Sequence, residues 1–213
     1  MPDHPYTEDY YLNGPASGLS NYENYGWMPD KTIPMAWRLR HSLGIKDSDF
    51  VLDYGCARGY LVKALRMQGV QACGYDLSEW AIENCDPAVK GHVSTTLNTS
   101  PLCWDYIVAK DVFEHIPLDV LTDTIAKLLR ATRKELFIIV PLTTYRDGAY
   151  GCPVDEQDST HVIRWTLIDW IQYLQRFDKN FVVTGGYEHP VLKPNCYEFP
   201  CSYGFFHVKR INP

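Results

Sequence analysis

Residues 50–60 read FVLDYGCARGY, a hydrophobic run that breaks into a loop holding Gly55 and Gly59. Apolar and β-branched residues followed by glycine punctuation predict a buried strand that enters a helix through a tight turn. A dinucleotide pyrophosphate asks for close backbone approach at a helix N-terminus, hence the spacing G-x-G-x-x-G. Here Ala57 stands where the middle glycine belongs, and Asp53 at the strand end would repel a pyrophosphate. An acid in that place suits an ammonium group instead. Gly55 allows the tight turn, and Gly59 opens the helix where a side chain would strike a bound ligand. The second strand closes on Asp76 in CGYDLS, where a carboxylate accepts both hydroxyls of a ribose. A ligand with a cationic amino-acid end and a ribose fits both acids.

Outward from that loop, β-rich runs alternate with helical periodicity: LVKALRMQG, QACGYD, SEWAIENC, DYIVAKD and ELFIIVPL. The alternation predicts a mainly parallel sheet covered by helices. Leu118, Leu121, Ile125, Leu128 and Leu129 recur at helical spacing and predict an apolar stripe against the sheet. NFVVTGGYE and CSYGFFHVKR, joined by a Pro-containing loop, read as an antiparallel pair. Residues 1–35, crowded with Tyr, Asn, Gly and Pro, read as a lid or cap segment before a catalytic domain over residues 36–213. With 213 residues, 46% of them hydrophobic, the chain is expected to form one main domain. A net charge of −6 gives no basic footprint, so a nucleic-acid partner is disfavoured without being excluded. Seven cysteines without paired spacing read as reduced thiols, and no signal or membrane-spanning stretch is evident; the expectation is a soluble cytoplasmic protein.

Together VLDYGCARG, GYDLSEWAI, WDYIVAKDVFEHIP and DSTHVIRWTLIDW resemble the class I S-adenosylmethionine-dependent methyltransferases. The resemblance implies an α/β, Rossmann-like methyltransferase fold: a mainly parallel seven-stranded sheet, an antiparallel C-terminal strand pair and helices on both faces. It implies that Asp53, Gly55, Cys56 and Gly59 form the first cofactor loop. Asp76 would hold the ribose with Leu77 beside the adenine, and Lys110 and Asp111 would lie near the methionine portion. Many relatives carry an acid after the third strand to meet the adenine amine. This chain offers GHVSTTLN, leaving Ser94, Thr95 or backbone for that contact.

In KDVFEHIP, Asp111, Glu114 and His115 stand at i, i+3 and i+4, which one helical turn would place on one face. His161, in DSTHVIRW, would come over the strand ends as a fourth ligand. The arrangement resembles the D/E-x-x-E-H plus distal His of small-RNA 3′-terminal 2′-O-methyltransferases, and its first part resembles ubiquinone-pathway O-methyltransferases. That resemblance implies a divalent ion, Mg²⁺ or Mn²⁺, holding acceptor oxygens. Two other readings stand beside it: His115 or His161 as a plain catalytic base, and both as packing beneath the cofactor. Asp158 either orients His161 or caps a turn. Asn21, Tyr22, Tyr25 and Trp27 read as a lid over the pocket, or as the core of a flanking helix. Phe199, Tyr203, Phe205 and Phe206 read as sheet packing, and Cys152, Cys196 and Cys201 match no compact zinc knuckle. The expected activity is methylation of a hydroxyl on a small molecule or glycan. The alternatives are metal-assisted RNA 2′-O-methylation and a non-catalytic S-adenosylmethionine-binding module.

Overall fold

The computed structural model describes residues 4–187 and 191–211. Two short helices, α1 (Glu8–Leu12) and α2 (Gly14–Ser17), precede α3 (Pro29–Leu43). There follow β1 (Phe50–Tyr54), α4 (Tyr60–Met67), β2 (Gln71–Tyr75), α5 (Glu79–Glu83), β3 (Val93–Ser94) and β4 (Trp104–Lys110). The chain continues through α6 (Leu118–Ala131), β5 (Thr132–Pro141), α7 (Leu167–Leu174), β6 (Phe181–Gly186) and β7 (Tyr203–Arg210).

The strands form one seven-stranded sheet in the order β3-β2-β1-β4-β5-β7-β6. The first five run parallel. The terminal pair is antiparallel, and β7 also runs antiparallel to β5, so it inserts between β5 and β6. Parallel neighbours need crossover connections, which explains why the helices lie on the sheet faces. On one face Leu52, Ile107, Leu136 and Ile138 pack with Leu121, Ile125 and Leu128 of α6 and Trp170 of α7. On the other, Val51, Val108, Phe137 and Ile139 meet Leu39 and Leu43 of α3 and Val62 and Leu65 of α4. Phe205 and Phe206 are buried in these two layers, one on each face, as sheet packing requires.

Two sequence expectations shift. Leu118 is the first residue of α6 and is 46% exposed, so the apolar stripe begins one turn later, at Leu121. The line drawn between residues 35 and 36 falls inside α3, whose Ala36, Leu39 and Leu43 are core. Among the described residues no helix is long and apolar enough to cross a membrane.

The strand order reverses between β1 and β4. At such a switch point the following loops diverge and leave a crevice at the carboxyl ends of the strands. Asp53 and Gly55 stand at one lip and Lys110 and Asp111 at the other.

Candidate active site

A cavity of about 520 Å³ opens at that switch point, within the range of small-molecule sites. Asp53, Gly55, Cys56, Asp76, Leu77 and Lys110 all line it. Gly55 adopts φ +82°, and a Cβ there would lie 2.3 Å from a methyl of Val112, so only glycine allows this turn. The Gly55 and Cys56 N–H groups both donate to the Tyr75 carbonyl, which seats the loop over β2. Asp76 accepts from Ala57 N–H at 2.7 Å and from Ser78 N–H at 2.8 Å, one on each oxygen, and keeps lone pairs free for further donors. Burial raises its pKa, and those two hydrogen bonds pull it back. Asp53 has less help. Burial pushes its carboxyl up to about 7, with Lys110 opposing the rise.

Gly59 plays another part than the sequence suggests. It does not line the cavity, and at φ +78° an added Cβ would lie 2.7 Å from Val89 and 3.0 Å from Val93. Its left-handed backbone and its packing against Val89 and Val93 demand glycine here. Ser94 and Thr95 are also absent from the cavity wall. Ser94 is engaged locally, its carbonyl accepting from Asp76 N–H and its hydroxyl from Thr96 N–H.

Beyond Lys110 the chain turns sharply. Asp111 has φ +56°, a left-handed conformation that Asp tolerates better than most residues, and a single 3-10 turn over Phe113–His115 follows. Asp111 therefore does not share a helical face with Glu114 and His115, as the i, i+3, i+4 spacing suggested. It ion-pairs with Lys110 and, at 2.7 Å, with Lys193 from the segment between β6 and β7. Burial alone would raise Asp111, but the two ammonium groups outweigh it and hold the carboxyl below the usual range. Burial lowers Lys193, and Asp111 and Asp155 together lift it above the ordinary lysine value.

Glu114, His115 and His161 do come together, each offering one ligand atom within 4.8 Å of the others. The His115 and His161 rings sit 4.5 Å apart. Glu114 is 1% exposed, and neither of its carboxylate oxygens has a hydrogen-bond partner. The Nδ1 of His161, one oxygen of Asp111 and one of Asp155 are similarly unpartnered. Burial and then Asp111 raise Glu114 well above the carboxylate range. Burial and then His161 lower His115 to about 4, and burial lowers His161 as well. Asp158 stands 4.0 Å from His161, beyond hydrogen-bond reach, and so does not orient that ring directly.

Tyrosines of the N-terminal segment roof the cavity. Tyr6, Tyr10, Tyr11, Asn21, Tyr22 and Tyr25 line it. Trp27 does not: it packs by Tyr60 with the Lys63 ammonium over its ring at 4.4 Å. Ser78 Oγ donates to the Tyr6 carbonyl, Tyr10 Oη donates to Asp158, and Tyr11 stacks on Trp80. Lys193 and Asp155 escaped the sequence reading. Neither belongs to a motif, and Lys193 meets Asp111 across 82 positions of chain.

A parallel sheet with a β7 insertion and an acid-lined switch-point crevice defines the class I S-adenosylmethionine-dependent methyltransferase fold. Residues 31–180 match the family model described as a methyltransferase domain, and the chain belongs to that family. No curated protein sequence matches it. A SAM-dependent methyltransferase from Archaeoglobus fulgidus shares 17% identity over 84% of this chain and 94% of its own, with a TM-score of 0.65. The Burkholderia thailandensis 1,6-didemethyltoxoflavin-N1-methyltransferase, solved with 1,6-didemethyltoxoflavin and S-adenosylhomocysteine, shares 16% over 85% and 79%, at 0.61. Magnesium protoporphyrin IX methyltransferase from Synechocystis, solved with SAM, shares 17% over 83% and 76%, at 0.53.

Proposed function

We propose that this methyltransferase transfers the methyl group of S-adenosylmethionine to a hydroxyl of a small molecule or glycan at Glu114, His115 and His161. Asp53 receives the methionine ammonium, Asp76 the ribose hydroxyls, and Leu77 lies along the adenine. The methyl–sulfonium bond breaks as the oxygen–methyl bond forms, leaving S-adenosylhomocysteine, and the hydroxyl proton leaves to a base. The alignment is the larger part of the work, and the proton is the smaller.

The observation that carries the reading is the group of unpartnered buried atoms on Glu114 and His161 beside His115. A buried carboxylate with two orphaned oxygens is costly unless a cation or donor completes it. An imidazole lowered to about 4 is a poor base near neutrality and a ready metal ligand. One carboxylate with two neutral imidazoles fits a divalent ion, Mn²⁺ better than the oxygen-seeking Mg²⁺. Such an ion, when bound, would supply Lewis-acid activation of the acceptor oxygen. Asp111 is held by two lysines and stands outside the donor set.

The test is mass spectrometry of products from pooled phenols, sugar alcohols and short RNA, run with labelled S-adenosylmethionine in chelator and after Mn²⁺ addition. Methylated hydroxyls that vanish in chelator and return with Mn²⁺ are expected. Full turnover in chelator would remove the metal. Products methylated only on nitrogen would overturn the hydroxyl acceptor, and a product confined to RNA would replace the small-molecule class.

A further inference from the structure

Behind His115 lies a short chain of hydrogen bonds. His115 Nδ1 is 2.7 Å from Thr160 Oγ1. Thr160 Oγ1 is 2.5 Å from Asp158 Oδ1, and Thr160 N–H donates to the same oxygen at 3.0 Å. Asp158 Oδ2 accepts from Tyr10 Oη at 2.7 Å, and Asp158 is only 5% exposed. We infer that Thr160, seated by Asp158, is a positioning residue that holds His115 as its Nδ1–H tautomer and reserves Nε2 for the chemistry of the site.

The assignment follows from counting protons. A threonine hydroxyl carries one hydrogen and two lone pairs, whereas an ionised carboxylate can only accept. The short contact to Asp158 therefore takes the Thr160 proton. What remains on Oγ1 is acceptor capacity, so the 2.7 Å contact to His115 requires the hydrogen to sit on Nδ1. The Tyr6 ring stands edge-on to His115 at 5.9 Å and restricts the imidazole from the side. A neutral ring with hydrogen on Nδ1 has its one lone pair on Nε2, which is what ligation or proton acceptance needs. Asp158 thus acts on His115 through Thr160, and not on the nearer-numbered His161.

For its catalytic consequence the inference rests on the proposed role of His115, but the tautomer can be read without any turnover. Long-range proton–nitrogen correlation on ¹⁵N-histidine-labelled protein at pH 8, where imidazole is neutral, distinguishes protonated from bare ring nitrogens. The wild-type chain and Thr160→Ser should show His115 protonated on Nδ1. Thr160→Val, which keeps the shape and removes the hydroxyl, should move the hydrogen to Nε2 or mix the two forms. With an accepted substrate, Thr160→Val should lower kcat by about tenfold or more with cofactor affinity unchanged, and Thr160→Ser should restore it. Wild-type His115 protonated on Nε2, or an unaltered tautomer in Thr160→Val, overturns the inference. Because the wild-type spectrum needs no variant, a misfolded Thr160→Val leaves the test intact. A chain that binds cofactor and shows the Nδ1–H tautomer yet methylates no hydroxyl would sink the proposed acceptor class alone.

Discussion

Asp53 and Glu114 are both buried carboxyls lifted above their ordinary range, yet they expect different partners. With a folded value of about 7, Asp53 contributes stability that is complete below the ordinary carboxylate pKa and lost as pH rises through about 7. An ammonium from the cofactor reverses the preference by favouring the ionised form. S-adenosylmethionine should therefore bind about tenfold more tightly at pH 8 than at pH 6 as Asp53 ionises, and Asp53→Asn should flatten that slope. Calorimetry across this range checks it, and an equal slope in the variant would refute the assignment. Glu114→Gln is expected to abolish turnover. Because neither carboxylate oxygen has a partner, it should leave the melting temperature of the metal-free protein unchanged or higher. A fall of several degrees in that melting temperature would show that the carboxylate is held by bonds of its own. Asp53, Asp76 and the pairing of Glu114 with His115 were legible because they sit in local motifs at strand ends. Lys193 was not, since an ion pair spanning the chain leaves no mark in either segment.

At the scale of elements, hydrophobic patterning announced β1, α4, β2, β4, α6 and β5: near-continuous apolar runs in β1, β4 and β5, alternation in β2 and a stripe in the helices. The insertion of β7 between β5 and β6 was not legible, because a hairpin-like pair carries no signal of which member meets the sheet. The D-x-x-E-H spacing misled at Asp111 for a physical reason: spacing assumes continuous helix, and the backbone there enters the left-handed region before a single 3-10 turn. Gly59 misled in another way, since a glycine needed for packing looks in sequence like one cleared for a ligand. Gly59→Ala combines left-handed backbone with a Cβ 2.7 Å from Val89, and should cost about 2–4 kcal/mol. Chemical denaturation should show that loss. Val89 and Val93 lie outside the cavity wall, so the folded variant should keep its cofactor affinity. Loss of affinity with full stability would return Gly59 to the ligand loop.

The whole molecule is a sheet with its own two-sided core and an N-terminal segment laid across the loops at its carboxyl ends. That segment hydrogen-bonds to three loops: Arg58 after β1 donates to the Tyr25 carbonyl at 3.0 Å, Ser78 after β2 to that of Tyr6 at 2.6 Å, and Ser159 N–H after β5 to that of Leu19 at 3.1 Å. Its buried hydrophobic residues, Tyr10 and Tyr11, cluster with Ala81 and stand apart from the two sheet layers. Folding and roofing are therefore separable. The sheet needs α3, whose Ala36, Leu39 and Leu43 are core, and of the residues before it Trp27 packs against that layer. Deleting residues 1–26, which spares Trp27, should leave cooperative unfolding and native helix content by circular dichroism, at a lower melting temperature. The same deletion strips Tyr6, Tyr10, Tyr11, Tyr22 and Tyr25 from the cavity wall and opens it to water. The contacts proposed for the ammonium at Asp53 and the ribose at Asp76 would then compete with solvent. The dissociation constant for S-adenosylmethionine should rise by about tenfold or more, equivalent to about 1.4 kcal/mol. A truncated chain that binds the cofactor as tightly as the full one would mean that the tyrosines serve the acceptor or the fold. One that fails to unfold cooperatively would mean that the segment is part of the domain itself.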